Sequence, residues 1–273
     1  MVVEQIQFAA NMIAGAAAAY TDWKTGYIYD YITYPLIGLG IILSLMTGQW
    51  LGLVLGAGIY GIGLFAYKTG KIGGGDIKLL AGLALIQPTF NGMIFPFAVL
   101  LVGTLLACLG LSIYYTGMFV LSRKKIHWKN NRKKSAALMG AAVAGVMYYV
   151  FTQGLWSSET IVVLSIAMLA GIIFYALEEE IKEHSFLKRI TLNELEDDEV
   201  LAIEHLSPEE KEKWGKNIPN LIGTSDKIRL QHMNFHTIPV YRNLPKFAPF
   251  LFAGIIIVYM YPEWITPLIP GVL

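Results

Sequence analysis

Residues 73–80 read Gly-Gly-Gly-Asp-Ile-Lys-Leu-Leu, an acid and a base set directly behind three glycines in a chain otherwise rich in apolar residues. Acids are scarce here: the first 177 residues hold only Glu4, Asp22, Asp30, Asp76 and Glu159. Glu4 and Glu159 stand near segment starts and read as solvated. Asp22, Asp30 and Asp76 all fall near segment ends on one side, which points to a shared site. Two carboxylates brought together cannot both ionise cheaply, so one keeps a proton while the other accepts one. Such a pair can draw a proton from water and polarise a carbonyl, the chemistry of hydrolysis. On the bare sequence the alternative stands beside it: the same acids could reach water or pair with Lys24, Lys71 or Lys78. Gly73–Gly75 permit positive φ and close backbone approach. They could open a helix so that an extended peptide fits beside Asp76, or they could simply end the preceding helix together with Gly70.

The elements that must carry these acids are membrane segments. The chain has 273 residues, of which 55% are hydrophobic and 15% charged, with a mean hydropathy of +0.52. Soluble domains carry about 25% charged residues, so the composition is that of an all-α polytopic membrane protein, a bundle of about six to eight transmembrane or re-entrant helices with a small cytoplasmic region. Apolar segments run over 5–22, 31–47, 50–68, 76–88, 93–122, 135–154, 160–177 and 247–262. The fourth is too short to span comfortably and reads as a half-helix or a re-entrant piece packed inside protein. The opening MVVEQIQ lacks Lys and Arg, so the first segment is expected to stay in the membrane rather than be cleaved.

Charge sets the expected orientation. Residues 1–177 hold 11 Lys/Arg against 5 Asp/Glu, and residues 178–246 hold 10 against 14. The loops near 48–49, 89–92 and 155–159 carry no Lys or Arg. Basic residues stay in the cytoplasm, which puts the N-terminus outside and the 123–134 loop, the 178–246 region and the site inside. The expected organisation is a membrane body over 1–177, a cytoplasmic region over 178–246 and a C-terminal transmembrane helix and tail over 247–273. Glu194–Gly215 reads as two short helices broken at Ser207-Pro208, with Ser207 and Glu210 in capping-box spacing. At this size the region is expected to lean on the membrane body.

Other patterns carry less. Gly56 to Gly61 fits G-x-G-x-x-G but has no preceding strand, and Gly52 with Gly56 reads as a close helix-packing face. The basic run Arg123–Lys134 beside a membrane helix reads as a topology anchor on anionic lipid rather than a nucleic-acid site. The five histidines form no ligand grouping beyond His232-x-x-x-His236, so no metal and no cofactor are expected. Cys108 is single, which excludes an internal disulfide.

Gly73-x-Gly75-Asp76 followed by Ile77-Lys78 resembles the GxGD signature of type IV prepilin peptidases. Asp22-Trp23-Lys24 with Tyr29-Asp30-Tyr31-Ile32 resembles their first motif. The order and separation are those of the archaeal prepilin and preflagellin branch, and the likeness covers residues 1–90. It implies a membrane-embedded aspartic endopeptidase with Asp22 and Asp76 catalytic, and Asp30, Gly73, Gly75 and Lys78 supporting. The implied substrates are prepilin-like or preflagellin precursors with a short basic leader, cut at the cytoplasmic face of the cell membrane. The acidic stretches Glu178–Glu180 and Glu194–Glu199 could steer such a leader, or form a solvated face. The bacterial relatives carry paired cysteines and also methylate the product; this chain lacks those cysteines, which implies cleavage alone. The hairpin of segments at 135–177 goes beyond the smallest archaeal pattern. A presenilin-like GxGD protease, a transporter with an Asp ion site and a scaffold protein working through 178–246 are the alternatives.

Overall fold

The computed structural model describes residues 2–265 apart from 71, 123–130, 155, 197–198, 216–217 and 234. Lys71, His127, most of the 123–134 basic run, Asp197 and Asp198 therefore lie outside the described residues. Seven helices come first apart from one small hairpin. They are α1 (Val2–Thr25), α2 (Asp30–Thr47), α3 (Trp50–Lys68), α4 (Gly74–Ile86), α5 (Phe95–Leu121), α6 (Asn131–Thr152) and α7 (Ser158–Ala176), with β1 (Thr89–Phe90) and β2 (Met93–Ile94) between α4 and α5. The short α8 (Glu178–Ile181) leads into a small module holding β3 (Leu187–Thr191), β4 (Glu199–Leu201), α9 (Pro208–Trp214), β5 (Leu221–Ile222), α10 (Thr224–His232) and β6 (Thr237–Tyr241). The chain then re-enters the bundle as α11 (Ala248–Met260), followed by one turn, α12 (Pro262–Ile265). Helices α2, α3, α5, α7 and the Arg132–Thr152 part of α6 are long and apolar enough to cross a membrane. This is an all-α polytopic membrane protein.

Helix α4 sits at the centre of the bundle, against α1, α2, α3 and α5. It is apolar all round, and Ile77 and every residue from Leu79 to Ile86 are buried, as expected for a helix with no solvent or lipid face. Its 13 residues rise about 20 Å at 1.5 Å each, short of the roughly 30 Å hydrocarbon core. It is the half-helix expected from its length. The chain turns back at Asn91-Gly92, both at positive φ, closing β1 onto β2 in the Asn-Gly hairpin whose twist suits such a turn. This corrects the reading of 93–122 as one apolar helix: residues 93–94 are strand, and Pro96 starts α5 where its missing N–H costs nothing.

Helix α3 meets α4 through Gly52 and Gly56, its only buried residues among those described. A Cβ on Gly56 would lie 2.5 Å from the Leu85 side chain, so the two backbones approach as the spacing of these glycines predicts. Helix α11 packs between α1 and α5, while α6 and α7 form a peripheral hairpin that packs on the core chiefly through α7 against α5.

The module is not the pair of short helices expected over 194–215. Only the second half is helical: α9 begins at Ser207, whose Oγ accepts from Glu210 N–H while the Glu210 carboxylate accepts from Ser207 N–H. The first half is β4 flanked by single 3-10 turns. Strand order is β3-β6-β4-β5, all antiparallel, with Leu187 opposite Tyr241 and Leu201 opposite Val240. β4 became a strand because Leu201 and the paired Glu199 face inward while Val200 spans the register to Tyr241. Nor does the module depend wholly on the bundle: Trp214, Ile222, Leu230, Ile238 and Val240 form a fully buried core of their own.

Gly56→Ala should destabilise the protein by about 1–3 kcal/mol through overpacking against Leu85. Gly61→Ala, on the same helix with open space at its Cβ position, should be neutral or stabilising by about 0.5–1 kcal/mol. Thermal unfolding of both variants in detergent checks the contrast.

Candidate active site

Asp22 lies in the last turn of α1 and Asp76 in the first turn of α4. Because α1 and α4 run antiparallel, these two ends meet at the end of the bundle that carries the module. Asp22 is 7% exposed. Its Oδ2 accepts the backbone N–H of Ala248, the first residue of α11, at 3.0 Å. Asp76 has a buried Oδ1 without a protein hydrogen-bond partner, and Asp22 is the charge that acts on it. Asp22 and Asp76 thus stand at the same end of the bundle, near enough for the charge of one to act on the other.

Gly73 and Gly75 work by close approach, and none of the three glycines uses positive φ. Gly73 is extended at the N-cap, and Gly74 and Gly75 are the first helical residues of α4. The helix-ending role belongs to Gly70, which stands at φ +71 just past α3. A Cβ on Gly75 would lie 2.7 Å from Ile28 Cβ and 3.0 Å from its carbonyl oxygen. Ile28 belongs to the loop that joins Asp22 to Asp30, so the missing side chain at 75 is what lets that loop sit one residue away from Asp76. At Gly73 a Cβ would come 2.8 Å from Asp76 Oδ2, so this glycine clears the space into which the carboxyl folds.

Asp30 begins α2 and pairs with a different partner. Lys78 Nζ donates to Asp30 Oδ1 at 2.5 Å and lies 4.9 Å from the centre of the Tyr34 ring. The pair ties the first turn of α2 to the first turn of α4. It is half open to solvent, with the Asp30 side chain 54% exposed, so its contribution to stability is at most about 1 kcal/mol.

Around this end Tyr20, Trp23, Tyr27, Tyr31 and Tyr34 are exposed, the amphipathic belt expected where a bundle meets a membrane surface. The module reaches the site through Tyr27, whose hydroxyl donates to Glu196 Oε2 at 3.1 Å, and Asn220 and Leu221 lie beside Gly70, 3.7 Å from where a Cβ there would stand. The acidic stretches are largely taken up within the chain. Glu178 and Glu179 pair with Arg132, and Glu180 with Lys133 at 2.5 Å. Glu199 is buried and accepts from Arg242 Nε at 2.7 Å. Glu194 closes a capping box with Thr191. A cavity of about 390 Å³ lined by Arg132, Glu179, Lys182, Glu183, Glu204, His205 and Tyr241 lies at the junction of α6, α8 and the module, and none of the three aspartates lines it.

Two groups of residues at the site and behind it escaped the sequence reading. One is Lys246 with the Ala248 amide, whose contact with Asp22 spans 226 positions; the Pro at position 249 marks a helix start but not its neighbour. The other is the set of donors at the far end of α4. Gln7 Nε2 donates to Ile86 O at 2.6 Å, and Ser44 Oγ donates to Leu85 O at 2.9 Å. Buried polar residues in apolar segments were the available signal.

Residues 9–111 match the type IV leader peptidase family. Prepilin peptidase EppA of Methanothermobacter thermautotrophicus is 29% identical over 112 residues, an alignment covering 35% of this chain and 29% of that protein. No solved structure matches the chain. The segment that carries Asp22, Asp30 and Asp76 is therefore prepilin-peptidase-like, similar to the type IV leader peptidases over residues 9–111.

Proposed function

We propose that this protein is a membrane-embedded aspartic endopeptidase that removes the short basic leader from prepilin-like or preflagellin precursors. The observation that carries the reading is the meeting of Asp22 and Asp76 at one bundle end, inside the segment similar to leader peptidases. The basic residues support a cytoplasmic site. Lys24, Lys68, Lys78 and Arg132 belong to the same bundle end as the module, and basic residues stay inside. The N-terminus is then outside, and substrate reaches the site from the membrane, its apolar helix in lipid and its leader in the cytoplasm.

The chemistry needs no group beyond the two carboxyls and a water. The ionised carboxylate takes a proton from water as its oxygen attacks the scissile carbonyl carbon. The protonated carboxyl gives its proton to the carbonyl oxygen, forming a gem-diol. On collapse the C–N bond breaks, the leaving nitrogen receives the proton first taken from water, and a diol hydroxyl returns a proton to the other carboxyl. Gly75 and Gly73 set the geometry, and the Asp30–Lys78 pair steadies the two helix starts. Cleavage without methylation is part of the reading, so the new N-terminus carries no added methyl mass.

The test is leader removal from a tagged prepilin-like substrate by the purified full-length protein in lipid, with product mass read by mass spectrometry. Wild type should cut, and Asp22→Asn and Asp76→Asn should each be inactive. Equal cutting by all forms, or none by wild type with several leaders, overturns the reading. Asp30→Asn should keep activity within about tenfold and lower stability by no more than about 1 kcal/mol, because its ion pair is open to solvent. Gly75→Ala should fold but cut on the order of 10²-fold more slowly, since its Cβ displaces the Ile28 loop by a fraction of an ångström to an ångström; kcat at saturating substrate reads this.

A further inference from the structure

The Asp22 carboxyl is held by a part of the chain far outside residues 9–111. Ala248 opens α11, and its N–H is one of the donors at that helix end with no intrahelical partner. Pro249 follows and has no N–H to offer, so the Ala248 amide, with that of Phe247 beside it, is the donor presented to Asp22. Lys246 stands two residues earlier. Its Nζ donates to the Trp23 carbonyl oxygen, lies 5.8 Å from the Trp23 ring centre, and is the cation that acts on Asp22. The Trp23 carbonyl belongs to the last turn of α1, where carbonyls lack intrahelical partners. The clasp is therefore reciprocal: an acid of α1 caps the amide end of α11, and a base before α11 caps the carbonyl end of α1. Both contacts also follow the helix dipoles, negative charge at an N-terminus and positive charge at a C-terminus.

Asp76 shares the field of a helix N-terminus, in the first turn of α4, but among the described residues no amide and no cation is seen at its carboxyl. Its Oδ1 is buried with no donor, and the charge acting on it is the Asp22 carboxyl. A carboxylate that accepts backbone N–H bonds favours its charged form, whereas a buried carboxyl without donors favours the neutral one.

We propose that Lys246 and the first amide of α11 are positioning groups of the pair: they hold Asp22 as the ionised acceptor and so leave the single shared proton on Asp76, available to the scissile carbonyl. This rests on the aspartic peptidase reading and adds the division of labour to it. Asp22 is the base that takes the proton of water and later gives it to the leaving nitrogen. Asp76 is the acid that protonates the carbonyl oxygen and recovers a proton from the gem-diol. Neither Lys246 nor Ala248 touches substrate in this scheme.

The experiment uses the full-length protein in proteoliposomes and a synthetic peptide with a short Lys/Arg leader before an apolar helix. Lys246→Met should lower kcat by about tenfold or more with KM within about twofold, because it acts on the transition state rather than on docking. Lys246→Arg should recover activity to within about threefold of wild type, since it restores the charge. Infrared difference spectra at neutral pH provide a readout that does not depend on turnover. The protonated-carboxyl C=O band of the wild type should vanish in Asp76→Asn and persist in Asp22→Asn. The proposal is overturned if Lys246→Met cuts as wild type does, if Lys246→Arg is as impaired as Lys246→Met, or if the band is lost with Asp22→Asn instead. Should Lys246→Met fail to fold, Lys246→Gln takes its place in the same kinetic comparison, and the infrared spectra still report which carboxyl holds the proton. A wild type that cuts no leader at all defeats the peptidase reading and this proposal with it, a result separable from the others because every variant is then silent.

Discussion

A helix that stops inside a bundle leaves carbonyls that water cannot reach, and this constraint governs the architecture around α4. Leu85 and Ile86 carry two of those carbonyls, and Ser44 from α2 and Gln7 from α1 supply the donors. Asn11, Gln87 and Tyr259 continue the network toward α11, with Asn11 Nδ2 donating to Tyr259 Oη at 2.8 Å and Tyr259 donating to Gln87 Oε1. An unpaired buried acceptor costs about 1–3 kcal/mol, so these side chains set where α4 ends. Since α4 has a definite length, fixing its far end also fixes its first turn, and with it the depth of Asp76. The acid at one end depends on amides and hydroxyls about 20 Å away at the other.

That dependence explains what could be read from the sequence and what could not. Three isolated aspartates in a body almost free of acids were legible, because each charge in an apolar segment needs a reason. The packing face of Gly52 and Gly56 was legible from spacing alone, and the shortness of α4 from counting residues. The Asn91-Gly92 turn was legible as a loop, but Met93 and Ile94, the strand it closes, were counted with the apolar run that follows. In the module, acid-rich composition around Glu194–Glu199 favoured helix by propensity, while burial of Glu199 against Arg242 and of Leu201 in the core made it a strand. Tertiary context outweighed local preference there. The clasp of Asp22 with Ala248 had no local signature at all, since a backbone amide is the same at every residue.

The module is joined to the bundle at each loop that bears on the paired acids. Tyr27 meets Glu196, Gly70 meets Leu221, and β6 runs through Arg242 directly into Lys246 and α11. Its acids serve mainly to hold the chain's own cations: Arg132, Lys133 and Lys182 with Glu178–Glu180, and Arg242 with Glu199. Arg132 and Lys133 knit the start of α6 to the stalk between α7 and the sheet, Lys182 braces the stalk within itself, and Arg242 anchors the strand that feeds α11. The module thus lies directly before the helix that returns to Asp22, with β6 ending five residues before Lys246.

The separation of Asp22 from its amide partner also has a bearing on how the molecule is made. A ribosome releases residue 22 and residue 76 early, yet the donor that orders the first of them lies 226 residues further along. Membrane segments enter the bilayer in the order of synthesis, so for most of that interval both acids sit together in lipid without the helix end that distinguishes them. A nascent chain, or one truncated before α11, holds its acids but lacks the amide that Asp22 accepts. On the proposed reading, synthesis therefore includes an interval in which both carboxyls are in place while the helix end that holds Asp22 is still to come.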